Sequence, residues 1–179
     1  IVVYNGLDQS VDVAIGDELA SLPAGAHMEL DLEDDDEVQI RTTTRDGVLV
    51  EDFVADVSNT QAQYVYNVAG ASPLVEWTMV YGTASEQPPR MMGAPRIATT
   101  SAGILFTEPP TSVSTSGTGS TRLVIEGLAG DDPMSHISAL TGGDPSGMIL
   151  AHARWDAPGS AHLATWLRLA SDLPETSEI

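Results

Sequence analysis

Short runs in which apolar and polar residues alternate are the feature of this chain that most constrains its fold. Val11–Ile15 and residues 28–32 place apolar side chains at every second position, with a Pro-Ala-Gly turn at 23–25 between them. Because alternate side chains of a strand point to opposite faces, each run predicts a half-buried β-strand. Asp46-Gly47 lies between two further β-rich runs and is the kind of dipeptide most typical of a hairpin turn.

More such runs follow along the first half of the chain. They lie at residues 38–42, 48–50, 63–68 and 74–81 and are rich in Val, Ile, Tyr and Thr. About seven to nine short strands, spaced about 8–12 residues apart, are typical of an antiparallel β-sandwich.

The C-terminal third carries helix signals instead. Asp132 precedes Pro133, which predicts an N-cap carboxylate before a proline at the first helical position. Asp144-Pro145 repeats this start, and Ser160 is predicted to cap a further helix. These segments predict short helices joined in a helical hairpin.

A β-rich part followed by helices is the α+β arrangement. We therefore expect an antiparallel β-sandwich at 1–107 and a Ser/Thr/Gly-rich loop and connector at 108–130. A helical hairpin of two to three short helices is expected at 131–173, packed on or beside the sheet, and a linker or tail at 174–179.

The composition excludes several kinds of chemistry. The chain has 26 acidic residues and seven arginines but no lysine and no cysteine, for a formal net charge of −19. A Walker-type phosphate loop, a Schiff-base lysine, a cysteine nucleophile and a thiolate metal site are therefore impossible. Nucleic acid is excluded as a partner because its binding depends on Lys and Arg contacts with phosphates. No run of 18 apolar residues is present, so this segment predicts no membrane insertion.

Residues 11–57 carry a recognisable layout. Val11 begins a strand that leads to Gly16, the Pro-Ala-Gly turn follows, and Gly47 and Phe53 belong to the closing hairpin. This layout resembles PEGA-type or transthyretin-like β-sandwich modules of the bacterial envelope, although the acidic turn at 33–37 departs from their usual Pro-Gly turn. The resemblance implies a structural or adhesive spacer without catalytic residues, in the periplasm or at the cell surface; a cytoplasmic location stays open. The start at Ile1 favours a domain excised from a larger bacterial protein.

An acidic run suggests a calcium site. Its members are Asp31, Glu33, Asp34, Asp35, Asp36 and Glu37. Calcium takes six to eight oxygen ligands, but an EF-hand counted from Asp31 would need glycine where Asp36 stands. The alternative is a solvated hairpin turn whose charges prevent edge-to-edge aggregation.

Three residues near the C-terminus suggest a metal centre. His152, Asp156 and His162 could converge as the two-histidine, one-carboxylate set of an open zinc or iron site. The alternative is that these histidines pack between helices beside Trp155 and Trp166.

Aromatic residues suggest a third candidate site. Tyr64, Tyr66, Trp77 and Tyr81 lie on strands that we expect to be adjacent. Such a ladder can bind a sugar if it is exposed, or fill a core if it is buried.

Taken together, these features favour a structural or protein-interaction domain that is not an enzyme, with a protein partner and no cofactor. One alternative is a calcium- or carbohydrate-binding module. The other is a metal-dependent enzyme that uses His152, Asp156 and His162.

Overall fold

The computed structural model describes residues 1–31, 36–59, 62–83, 85, 87–113, 119–128 and 132–174. Strand accounts for 40% of these residues and helix for 18%. The strands are β1 (Val2–Tyr4), β2 (Val11–Ile15), β3 (Glu18–Leu22), β4 (His27–Glu29), β5 (Glu37–Thr44), β6 (Leu49–Asp56), β7 (Gln63–Asn67), β8 (Leu74–Tyr81), β9 (Arg90–Gly93), β10 (Ile97–Thr100), β11 (Ile104–Leu105) and β12 (Ser120–Gly127). The helices are α1 (Pro133–Ala139), α2 (Ser146–Trp155) and α3 (Leu163–Ser171), and a 3-10 turn spans Val68–Gly70.

The described strands form three four-stranded sheets. The N-terminal sheet has the order β3-β2-β5-β6, the central sheet β10-β7-β1-β4, and the distal sheet β11-β12-β8-β9. Most neighbours are antiparallel, but β1 runs parallel to β7 and β11 runs parallel to β12. Parallel neighbours need a long connection between them, and the N-terminal sheet lies within the connection from β1 to β7.

The N-terminal sheet follows the alternation seen in its sequence. Strand β2 buries every second residue, and β5 buries its Val, Ile and Thr residues in the same alternating way. The predicted hairpin at Asp46-Gly47 is confirmed, since β5 pairs with β6 and Gly47 adopts a φ of 83°. Glycine is favoured at such a positive φ because it has no Cβ.

The two inner strands of the central sheet, β1 and β7, face an apolar core on each side. Val3 and Tyr66 belong to the apolar core that includes β2, β5 and β6 of the N-terminal sheet. Tyr4 and Val65 belong to a second core, which includes Ile125 of the distal sheet. Neighbouring residues of β1 and β7 thus serve different cores, which places the central sheet between the other two.

Tyr4 and Gly127 show how closely the central and distal sheets pack. The ring of Tyr4 stacks on Phe106, with 4.4 Å between centroids, and burial raises the pKa of its phenol. A Cβ built on Gly127 would overlap this ring. Gly127 therefore lets the end of β12 lie directly against Tyr4.

The three helices share a separate apolar core. It contains Leu140, Met148, Ile149 and Trp166. The predicted start of α1 is confirmed, because the Asp132 carboxylate accepts hydrogen bonds from the backbone N–H groups of residues 134 and 135. The prediction that Ser160 caps a helix is wrong: α3 begins only at Leu163, after a tight turn in which the N–H of Leu163 donates to the carbonyl of Ser160 at 3.4 Å.

A mostly β chain with short C-terminal helices agrees with the prediction, but the described part has twelve strands where about seven to nine were expected. Strands β4, β9 and β11 have only two to four residues, too few to leave a periodic pattern. Strand β12 lies inside the segment 108–130 that was expected to be loop. The prediction missed it because the strand begins with Ser, Thr and Arg, which continue the polar composition of the preceding segment. No helix among the described residues is long and apolar enough to cross a membrane.

Candidate functional site

His152 and Asp156, predicted as metal ligands, form a buried ion pair with each other. The Nδ1 atom of His152 lies 3.0 and 3.1 Å from the two carboxylate oxygens of Asp156, and Nε2 lies 2.7 Å from the carbonyl oxygen of Ala71. Carboxylate and carbonyl oxygens only accept hydrogen bonds, so both ring nitrogens must donate. The geometry is therefore that of an imidazolium paired with a carboxylate.

This pair fastens helix α2 to two segments of the β part. Asp156 also accepts a hydrogen bond of 2.8 Å from the backbone N–H of Asp8, which follows β1. The side-chain amide of Gln9 donates to the carbonyl of Trp155 beside it. Ala71, the partner of His152, directly follows the 3-10 turn. The polar side-chain atoms of both residues thus form hydrogen bonds with other groups of the protein and join α2 to the β part. We call the two residues the His152–Asp156 clamp.

His162 does not complete a metal site with this clamp. It is half-buried and provides the N-cap position of α3. The part of the chain that the structure describes contains no group of three or more His, Asp or Glu side chains placed to hold a metal ion. The structure thus brings together two of the three residues predicted from the sequence and uses them for packing and pairing.

His136, which the sequence did not single out, belongs to the same cluster. Its ring meets His152 and Trp166 edge-on at centroid distances of 5.5 and 5.8 Å, while Trp166 stacks on His152 at 4.4 Å. Its Nδ1 lies 3.2 Å from the backbone carbonyl of Asp132 and donates to it. Burial lowers the pKa of His136, and the nearby charge of His152 acts in the same direction.

A cavity of about 260 Å³ opens above this cluster. We call it the histidine cavity; its walls are residues 6–8, 24 and 25 of the β part and His136, His152, Asp156, Ser160, His162 and Trp166 of the helical part. No sequence motif marks it, because its walls come from segments far apart in the chain.

A larger concave surface lies between the N-terminal sheet and the helices. This interface groove has a volume of about 660 Å³. One wall includes residues 50–52 of β6, Gly70, Gly93 and Arg96, and the other includes Gly143, Gly147 and Arg154.

Glu51, on the β6 wall of the groove, is fully engaged within the protein. Its Oε1 accepts hydrogen bonds of 2.6 Å from the Tyr66 hydroxyl and from the backbone N–H of Ala69, and its Oε2 lies 3.4 Å from the Arg96 guanidinium. The Tyr66 hydroxyl also lies 2.5 Å from Thr42 Oγ1. Burial, followed by the charge of Glu51, raises the pKa of Tyr66 well above its usual value.

Among the described residues, one arginine and one aspartate of the groove have no oppositely charged partner. Asp52 pairs with Arg41 at 3.3 Å, whereas Asp144 accepts hydrogen bonds from the backbone and hydroxyl of Ser146 and pairs with no cation there. Arg154 lies over the ring of Trp155, 4.8 Å from its centroid, and pairs with no carboxylate among the described residues. The groove therefore presents a guanidinium without a carboxylate partner.

The four candidate aromatic residues lie in two different sheets. Tyr64 and Tyr66 belong to β7 of the central sheet, while Trp77 and Tyr81 belong to β8 of the distal sheet. Tyr66 is fully buried, and the hydroxyl of Tyr81 donates to the carbonyl of Pro110 at 2.6 Å. The expectation that they share adjacent strands is wrong, because β7 pairs with β1 and β10 and not with β8.

The acidic run is only partly described. Glu33, Asp34 and Asp35 lie outside the described residues, whereas Asp31, Asp36 and Glu37 are exposed. The calcium site stays a prediction.

Comparisons with protein-family models, with curated proteins and with solved structures find no match to this chain. The functional proposals below therefore depend on the geometry of the clamp, the groove and the cavity.

Proposed function

We propose that this chain is a non-enzymatic protein-interaction module, a β-sandwich with a helical platform, that binds an extended segment of a partner protein in the interface groove. The observation that carries the proposal is the position of β6. This strand has eight residues and lies at the edge of the N-terminal sheet, and residues 50–52 form part of the groove wall.

The outer side of β6 is suited to accept another strand. Within the described residues, β6 pairs only with β5 and makes no backbone hydrogen bond to any other element. An edge strand of this kind carries a row of open N–H and C=O groups. An extended peptide can add to such an edge through main-chain hydrogen bonds, while side-chain pockets give specificity.

Arg154 favours a polypeptide segment that places a carboxylate opposite it. Of the two arginines that line the groove, it is the one without a carboxylate partner among the described residues, and a guanidinium binds a carboxylate through two parallel hydrogen bonds. Gly93 and Gly147 have open space beside them, because a Cβ built on either meets no atom within 4 Å. A larger side chain at either position would take up part of the groove. We therefore propose an extended partner segment with at least one acidic side chain opposite Arg154.

The His152–Asp156 clamp supports a non-catalytic role for the helical part. Both nitrogens of His152 and both carboxylate oxygens of Asp156 have partners within the protein. A general base needs a nitrogen or oxygen free to reach the substrate. The clamp instead sets the distance between α2 and the β part, and with it the geometry of the groove.

Peptide selection tests the proposal. Displayed random peptides are selected on the immobilised chain, and the binders are then compared on Gly147→Leu, which fills the groove, and on Arg154→Ala. We expect enriched peptides with β-branched residues and an acidic residue at a fixed position. Each substitution should weaken their binding by at least about tenfold.

Matched controls separate the groove from the rest of the surface. Gly159→Leu adds the same side chain at another glycine with open space around it, and Arg122→Ala removes an exposed arginine that does not line the groove. Both controls should bind the peptides as the unaltered chain does. Peptides that bind all four variants equally, or a selection without acidic binders, would contradict the proposal.

A further inference from the structure

The histidine cavity contains polar groups that no protein atom satisfies. His136 and Trp166 are only 6% and 2% exposed, and both line the cavity. Among the described residues, neither the Nε2 of His136 nor the indole N–H of Trp166 has a hydrogen-bond partner. The hydroxyl oxygen of Ser160, on the same wall, also lacks a partner there, but it is buried beneath the cavity surface and a ligand cannot reach it. Buried polar groups in native proteins are nearly always hydrogen-bonded, so this cluster indicates something that binds.

The hydrogen-bonding character of these groups defines the ligand. Nδ1 of His136 donates to the Asp132 carbonyl, which leaves Nε2 of the neutral ring as an acceptor. The indole N–H of Trp166 can only donate. The ligand must therefore offer a donor and an acceptor close together, as a hydroxyl-bearing compound does.

Charge on the walls disfavours an anionic ligand. His152 and Asp156 neutralise each other at 3.0 Å, which leaves the carboxylate of Asp8 uncompensated in the lining. The net charge of −19 on the chain acts in the same direction. A neutral compound avoids this repulsion and leaves the ion pair intact.

The size of the cavity limits the ligand to one ring. A water molecule occupies about 30 Å³ of liquid, so a volume of about 260 Å³ equals several waters. It lies just below the range of about 300–1,000 Å³ that holds drug-sized ligands.

We propose that the histidine cavity binds a single neutral, hydroxyl-rich ring such as a monosaccharide or cyclic polyol, held by His136 and Trp166. This second site is separate from the interface groove and does not depend on the function proposed for it.

Titration followed by nuclear magnetic resonance tests this site. The indole N–H signals of the ¹⁵N-labelled chain are recorded during addition of glucose, galactose, N-acetylglucosamine, myo-inositol or glycerol, and the Trp166 signal is assigned with Trp166→Phe. We expect a saturable shift of the Trp166 signal with at least one of the ring compounds and none of the Trp77 signal. Glucuronate, the anionic analogue, should bind at least about tenfold more weakly than the best neutral compound.

Three substitutions locate the binding. His136→Phe keeps an aromatic ring but removes Nε2, and should weaken binding of the ring compound at least about tenfold. Ser160→Ala removes a hydroxyl that a ligand cannot reach, and His27→Phe alters a half-buried histidine outside the cavity, so both should leave binding unchanged. No shift with any neutral compound, equal binding of glucuronate, or unchanged binding in His136→Phe overturns the proposal. The groove-filling Gly147→Leu should retain sugar binding, which distinguishes failure of this site from failure of the groove.

Discussion

Replacing Asp156 should show how strongly the His152–Asp156 clamp holds the helices to the β part. Asp156→Ala leaves the His152 imidazolium without its carboxylate, although that side chain is only 4% exposed, and it also removes the acceptor for the N–H of Asp8. Breaking a buried ion pair by removing one partner costs about 3–5 kcal/mol. For a chain of this size, about 2–4 °C per kcal/mol converts this into a fall in Tm of about 6–20 °C.

Asp156→Asn should cost much less, because its amide can keep the hydrogen bond to Asp8 and one of the two contacts with His152. The amide oxygen accepts from Asp8, and the amide N–H₂ donates to Nδ1 of a neutral His152 whose Nε2–H still reaches Ala71. Only the difference between charged and neutral hydrogen bonds is lost, which is about 1 kcal/mol. We therefore expect a gap of about 2–4 kcal/mol between the Ala and Asn variants.

Urea unfolding followed by circular dichroism measures both free energies of unfolding. The control is Asp172→Ala, which removes the carboxylate of the exposed Arg168–Asp172 pair, also at i and i+4 and 3.5 Å apart. Exposed pairs contribute about 0–1 kcal/mol, so this variant should remain near the unaltered chain. If Asp156→Ala is no more destabilising than Asp172→Ala, the clamp does not hold the helices. If the Asn and Ala variants cost the same, the imidazolium assignment is wrong.

Three further predictions concern stability. Burial lowers the pKa of His136 below its ordinary 6.5, so as the pH falls this histidine takes up its proton in the unfolded chain before it does so in the folded one. The stability that the neutral His136 contributes is therefore complete above pH 6.5 and is lost below it, by at most about 1.4 kcal/mol per pH unit. His136→Phe should reduce that slope in urea unfolding, and an identical slope would contradict the assignment. Gly127→Ala should lower the free energy of unfolding by about 1–3 kcal/mol through overlap with Tyr4, whereas Gly103→Ala, with open space around it, should not. Thr141 has a φ of 50°, which strains a residue that carries a Cβ. Because the relief of this strain should exceed the entropy that glycine adds to the unfolded chain, Thr141→Gly should raise the free energy of unfolding by about 1 kcal/mol and Tm with it. A lower Tm would refute strain at Thr141.

Local elements of the fold are predictable from the sequence where one short segment contains the whole cause. The alternation in Val11–Ile15 predicts the bounds of β2, and Asp132-Pro133 predicts the start of α1. The inner strands of the central sheet, β1 and β7, are different, because they face apolar cores on both sides and therefore lack alternation. The parallel pairing of β1 with β7 depends on how the segments between them pack, which no local pattern encodes.

The same reasoning separates the two halves of the candidate site. His152 and Asp156 are one helical turn apart, so their proximity follows from the spacing alone. Their partners Ala71 and Asp8 are separated from them by 81 and 148 residues, respectively, and come close only in the folded chain. His136 was missed for this reason, and the groove was missed because its walls also come from segments far apart in the chain.

The two-sided burial of β1 and β7 has a consequence for synthesis on the ribosome. The strands of the N-terminal sheet all lie between Val11 and Asp56, and they can pair as soon as that stretch emerges. Strand β1 emerges earlier and can pair with β4, but its other neighbour β7 begins only at residue 63, and β7 in turn pairs with β10, which ends at residue 100. During this interval an apolar segment and one face of a finished sheet remain uncovered, a condition that exposes nascent chains to aggregation and to capture by chaperones. A pause in translation between β6 and β7 should therefore increase aggregation of the nascent chain more than a pause anywhere after β10.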